Sequence, residues 1–357
     1  MRTALLLFAL TLSAQAQWTI QPQATTADLR GIDSVGKGIA WASGTNGTVL
    51  RTEDGGYLWQ KCTVPPGAEK LDFRGIQAFD ENTAIVMSSG KGDLSRLYKT
   101  TDGCQSWKLV LTNPDKDGFW DAITLNRYES DGMLFGDPVE GQFAIWTTKD
   151  KGGHWTRDKS LGLNALPGEG AFAASNSSLV IDDHGFIHFG TGSAEHARIF
   201  SSNSGQGGYA AMSIPIAANS AGAGVFSLSF RTFLTKIAIG SAHFVAVGGD
   251  YTKPNESSKT AAFSVDDGHT WQTVVTPPHG YRSAVTYDAA SKTWITVGPN
   301  GTDISTDDGR SWRALKPGPG DAPDADQHWN ALSLPFVVGP KGRIGLLNDD
   351  ALKAAAK

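Results

Sequence analysis

The sequence predicts an all-β fold, a seven-bladed β-propeller of four-stranded blades in which the N-terminal strand completes the last blade. Three observations predict it. An acidic glycine turn of the form S/T-x-D-x-G-x-x-W recurs along the chain. Short apolar runs punctuated by Gly, Asn and Asp precede each copy, the signature of strands and tight turns rather than helices. Successive copies lie roughly 40 to 65 residues apart, the length of one four-stranded blade.

The turns set the register of the ring. Thr52 to Trp59 (TEDGGYLW), Thr148 to Trp155 (TKDKGGHW), Ser264 to Trp271 and Ser305 to Trp312 fit the pattern in full. Thr100 to Trp107 (TTDGCQSW) carries Cys104 at a glycine position, and Ser201 to Gly208 (SSNSGQGG) keeps only Ser201, Asn203 and Gly205. The acidic positions are therefore Asp54, Asp102, Asp150, Asn203, Asp266 and Asp307, with Trp59, Trp107, Trp155, Trp271 and Trp312 closing five of the turns.

Within each repeat an inner strand comes first, as in RGIDSVG, RGIQAFD, WDAITLN, VFSLSFR, YRSAVTY and WNALSLP. A second strand ends in or near glycine, as in GIAWASG, GMLFGDP, FVAVGGD and TWITVGP; a third enters the turn and a fourth leaves it. The last repeat stops early: VGPKGRIGLLND (338–349) parallels VGPNGTDISTDD (297–308), but no Trp follows. QWTIQPQ (17–23) has a Trp with no inner strands before it. Asn348 and Trp18 are thus expected to be two halves of one split turn, which closes seven blades and removes a free sheet edge.

Composition agrees with such a chain: 42 Gly and 11 Trp in 357 residues, with an ordinary 19% charged fraction. A net charge of −5 argues against nucleic acid as a partner, because neutralising phosphates needs a basic surface. The first residues, MRTALLLFALTLSAQAQW, place Arg2 before an apolar run (4–12) and an Ala14-Gln15-Ala16 cleavage pattern. They read as a secretory signal peptide over 1–16, too short to span a bilayer. The expected division is signal peptide 1–16, one propeller over 17–350 and a short tail over 351–357, in an exported protein of the periplasm or the medium that does not span a membrane. Cys62 and Cys104 are the only cysteines; an exporting compartment permits their pairing, and the sequence leaves it open.

The repeated turn reads as scaffold. Asp accepts hydrogen bonds from amides ahead of it, the Ser or Thr hydroxyl adds another, Gly takes the left-handed conformation, and the Trp packs between sheets. A calcium loop needs three or four oxygen ligands and a later Glu, which the turn lacks. His184 and His188 lie on a strand and need not converge on a metal, and SGKGD (89–93) lacks the phosphate-loop spacing. No metal or cofactor is expected.

Function is then expected on the opposite face, where the b–c and d–a connections vary in length and chemistry. That face gathers Arg30, Arg74, Asp121, Asp137, Glu140, Glu169, Glu195, Asp250 and Arg282 with the aromatics Trp120, Tyr251, Tyr281 and Trp329. Such a mouth suits a polar polymer, a peptide or a protein loop.

Across residues 18–349 the turns, together with FWDAITL, FGDPVEGQF, GEGAFAAS, VFSLSFR, VGGDY and GYRSAVTY, resemble the BNR or Asp-box repeat propellers. Within them the chain resembles the photosystem II stability and assembly factor family and its non-photosynthetic bacterial relatives. That resemblance implies a non-enzymatic scaffold binding a protein partner in the cell envelope. The arginine-rich patch of the photosynthetic members has no counterpart here, where arginines are scattered. The alternative is a sialidase-like glycoside hydrolase acting on an extracellular glycan with Asp121, Asp137 and Glu169 as candidate carboxyls. No dinucleotide or flavin motif supports an oxidoreductase.

Overall fold

The computed structural model describes residues 17–126, 129–202, 208–234, 239–318, 321–348 and 351–352. Seven four-stranded antiparallel sheets form the blades of a β-propeller. Blade 1 runs Leu29–Gly36, Ile39–Gly44, Val49–Thr52 and Gln60–Lys61, and the next five repeat that order up to Arg313–Ala314. In blade 7 the strands Ala331–Ser333, Phe336–Val338 and Ile344–Leu347 are joined at the outer edge by Trp18–Ile20.

Each blade is apolar on both faces because both are covered by neighbours, and the turn Trp explains much of that cover. Trp59 meets Phe336 of blade 7 edge-on at 5.4 Å. Trp107 packs with Trp41 and Val49 of blade 1, and Trp155 with Ile85 and Met87 of blade 2. Trp312 lies with Val245 and Phe263 of blade 5. Each of these tryptophans thus staples its blade to the preceding one in the ring, and Trp18 does the same for blade 7, packing with Ile295 and Ile304 of blade 6.

The seam differs in one detail from the sequence expectation. Trp18 pairs with Leu347, whereas in blade 6 the pairing of Ile304 with Arg313 sets Trp312 opposite Ser305. Leu347 therefore holds the Ser or Thr position, and the acidic position falls on residue 349, outside the described residues, rather than on Asn348. The turn after Val338 is one residue longer than that after Val297, which displaces the sequence parallel by one. Asn348 still closes the seam, its N–H donating to the Gln17 carbonyl at 3.0 Å. Ala351 and Leu352, expected in a tail, are buried, with Leu352 packed among Trp18 and Trp329.

Five turns share one hydrogen-bond scheme. The Ser or Thr hydroxyl donates to the Asp two residues on at 2.7–2.9 Å. It accepts the N–H four residues on at 3.0–3.1 Å. The Asp then accepts a second amide at 2.8–3.0 Å. Cys104 fills its glycine position at φ 61° and forms a disulfide with Cys62, tying this turn to blade 1. Asn203 lies outside the described residues. In that blade Ser201 instead meets the ring of His188 at 2.8 Å, whose other nitrogen is 3.0 Å from Asp182, and Tyr209 packs against Phe189. His188, braced by Asp182, thus satisfies a half-buried hydroxyl where the acidic turn residue is replaced.

Candidate functional site

The connection between blades 3 and 4, residues 158–178, is the longest in the ring and does not stay on its surface. Its second half crosses the axis. Arg74 of blade 2 donates to the Ala173 carbonyl at 3.0 Å. Asn176 donates to the carbonyls of Ile76 and Ile123, and accepts the Ile123 amide at 2.9 Å. Ser177 meets Ser227 of blade 5 at 2.7 Å, and Ser175 donates to the Ser283 carbonyl beside blade 6 at 2.8 Å. Gly75 is needed for this fit, since a Cβ there would lie 2.9 Å from Asn176 Oδ1. A segment bonded to the inner strands of four blades turns the central channel into a cup with a floor.

The cup has a volume of about 960 Å³. Of the residues expected on this face, Arg30, Arg74, Asp121, Asp137, Glu169, Tyr251, Tyr281 and Trp329 line it. Phe172 and Phe226, which the sequence reading did not single out, add a stacked pair at 3.9 Å, with Tyr281 edge-on to Phe226 at 4.8 Å. The remaining expected residues are placed elsewhere. Trp120 is wholly buried against Trp146 in the core, because its alternating strand position points between blades. Arg282 is also fully buried, donating to Asp303, Asn300 and the Tyr281 carbonyl, so it braces the wall rather than facing a ligand. Asp250 is buried and accepts the Thr252 hydroxyl and amide. Glu140, at a hairpin tip with φ 54°, lines a side pocket of about 330 Å³ with Arg157, and Glu195 is exposed beside His196.

The cup carboxyls are not alike. Glu169 is locked: it accepts bonds from Arg198, from the Thr191 hydroxyl and from the Leu166 amide. Asp137 accepts the Ala171 amide at 2.9 Å, and burial raises its pKa. Asp121 is only 1% exposed, and its Oδ2 has no hydrogen-bond partner. Burial first and the neighbouring Asp137 second push its pKa well above the usual carboxylate range, against the pull of Arg74. That guanidinium is engaged with Asp72 at 2.8 Å and with the plug. No group of three or more metal-ligating side chains exists among the described residues.

The sequence pointed to this face through its loops but gave no sign that one of them fills the axis. The available signal was the length of 158–178 with its small-residue run GEGAFAAS, since a long connection without strands in a tight ring has to go somewhere.

Fold and cup together define a class: a single seven-bladed propeller with a plugged channel and a polar, aromatic-walled mouth on one face. No family model matches the chain, and no curated protein is similar to it in sequence. Among solved structures it is similar to YCF48 bound to D1 peptide, at 19% identity over 94% of this chain and 98% of that one, with a TM-score of 0.62. YCF48 from Cyanidioschyzon merolae is similar at 18% identity over 94% and 100% of the two chains, with a TM-score of 0.61. The GH74 xyloglucanase from Xanthomonas campestris matches at 13% identity and a TM-score of 0.60, over 93% of this chain but 53% of its own. At these identities the likeness is one of fold.

Proposed function

We propose that the chain is an exported, non-enzymatic scaffold of the periplasm or medium that holds a segment of a partner protein in its central cup, in the manner of an assembly factor. The observation that carries this reading is the floored, polar cup itself: about 960 Å³ is far more than one side chain fills, and its wall mixes charge with six aromatic residues. The fold likeness to a propeller solved with a bound peptide supports it. No helix of the described residues is long and apolar enough to cross a membrane, in keeping with a scaffold that meets its partner from solution.

A second reading, glycoside hydrolysis, is favoured by one observation, the raised pKa of Asp121 beside Asp137. One other weighs against it: Glu169, the third candidate carboxyl, is bound up by Arg198 and by the Thr191 hydroxyl. Sugar release from a panel of extracellular glycans, absent in Asp121→Asn, would establish hydrolysis in place of the scaffold.

Site-specific photo-crosslinking in the producing cell tests the scaffold reading. A photoreactive residue at Tyr251, 54% exposed at the mouth, is expected to trap a discrete polypeptide, and one at Tyr57, 90% exposed on the turn face, is not. Adducts from Tyr57 alone, or from neither position, would end the reading.

A further inference from the structure

Resting on that reading, we propose that Asp121 and Asp137 form the seat for a cationic side chain, arginine or lysine, projecting from the held segment. A buried carboxyl oxygen without a partner is costly and rare, and one that lines a cavity invites a ligand to supply what the fold withholds. The protein has not supplied it from its own cations. Arg74 is committed to Asp72 and to Ala173, and Arg30 lies 3.8–3.9 Å from Asp28 and Asp72. The other acids of the cup have partners too: Glu169 has Arg198, and Asp117 has Lys91 at 2.8 Å.

The two carboxyls are therefore the unspent charge of the mouth. Without a ligand, burial first and the like charge of Asp137 second hold the Asp121 pKa well above the usual carboxylate range. An incoming guanidinium or ammonium reverses this: its positive charge stabilises both carboxylates, and the Asp121 proton leaves to solvent. Binding at a pH below the raised Asp121 pKa should thus release a proton. The groups facing the pair from the surrounding elements are Arg74, Arg30, Glu169 and Asp117, all lining the same cup.

An organic cation fits better than a metal ion. Calcium takes six to eight oxygen ligands, and two carboxyls with no third ligating side chain fall short. The walls also suit the stem of a long basic side chain, since Phe172, Phe226, Tyr251 and Tyr281 offer ring faces and edges to its methylenes and to its charge.

Calorimetry of the full chain with three blocked pentapeptides tests the seat. The peptides are N-acetyl-Gly-Ser-X-Ser-Gly-amide with arginine, lysine or glutamine at X. The arginine and lysine peptides are expected to bind at least about tenfold more tightly than the glutamine peptide, a coupling of the size measured for close charge pairs at interfaces. Repeating the titration in two buffers of different ionisation enthalpy should show a proton released on binding, and Asp121→Asn should erase both effects. Equal binding of the three peptides, no binding of any, a preference that survives in Asp121→Asn, or binding of calcium chloride alone at the pair would each overturn the proposal. The crosslinking readout separates this inference from the reading beneath it. A Tyr251 adduct formed equally by wild type and Asp121→Asn leaves the scaffold standing and removes the seat, whereas no adduct in wild type removes the scaffold.

Discussion

The two faces of the ring treat carboxyl groups in opposite ways. On the turn face each Asp is near solvent and richly bonded. The Leu58 amide holds Asp54 below the usual carboxylate range, the Ser106 hydroxyl brings Asp102 to about 2, and the His154 ring with its amide holds Asp150 well below that range. At the mouth, Asp121 is buried and Asp137 half-buried, and both are sparsely bonded and pushed upward. A group whose bonds are all met inside the fold has nothing left to offer a ligand. The difference teaches that the repeated acids are architecture, and that the carboxyls to watch are those the fold leaves unsatisfied.

The largest expected effect comes from cutting an architectural residue. Trp312 is 3% exposed and joins blade 6 to blade 5, so Trp312→Ala should destabilise the chain by about 3–5 kcal/mol in urea unfolding. Because the cup lies on the other face, folded Trp312→Ala should still form the Tyr251 adduct. Loss of the adduct with the fold intact would break the division between faces.

A smaller effect, of opposite sense, belongs to Asp121. Its pKa is raised on folding, so the native state holds a proton that the unfolded chain gives up above about pH 4. Stability therefore falls as pH rises from about 4 towards the folded value, by about 1.4 kcal/mol for each unit the two differ. Asp121→Asn lacks that proton, so the variant should gain on wild type as pH rises over this window. Parallel stability curves for the two proteins would show that Asp121 does not carry the strain assigned to it.

How much of this could be read in the chain depends on which contacts are local. The turns were legible because their hydrogen bonds close within eight residues: Thr52 reaches Asp54 and Gly56, and Asp54 reaches Leu58. Blade count and the seam followed from their spacing, apart from the one-residue offset at Leu347 that a longer turn introduced. The cup was half legible. Side chains at b–c and d–a connections fall on one face by topology alone, which placed Asp137 and Tyr251 together. Depth was not, so Arg282 and Trp120 were expected at the surface and are core. Nor was the plug, whose bonds run from Asn176 to Ile76 and from Ser175 to Ser283, about a hundred residues in either direction.

The smallest expected effect sharpens the contrast on acid titration. Asp102 titrates at about 2 in the folded chain and near 4 when unfolded. Its contribution to stability is complete above about pH 4 and is lost as pH falls from there towards 2, the reverse of the Asp121 slope. Asp102→Asn keeps an acceptor for the Ser106 amide but removes the charge, so its unfolding midpoint should lie slightly below wild type at pH 7 and meet it near pH 2. The exposed position keeps the difference modest and sensitive to salt. A midpoint gap that stayed constant from pH 7 to 2 would mean that the turn works through shape alone. In that case ionisation would set the mouth apart from the turn face even more sharply, since only the mouth carboxyls would then couple charge to the fold.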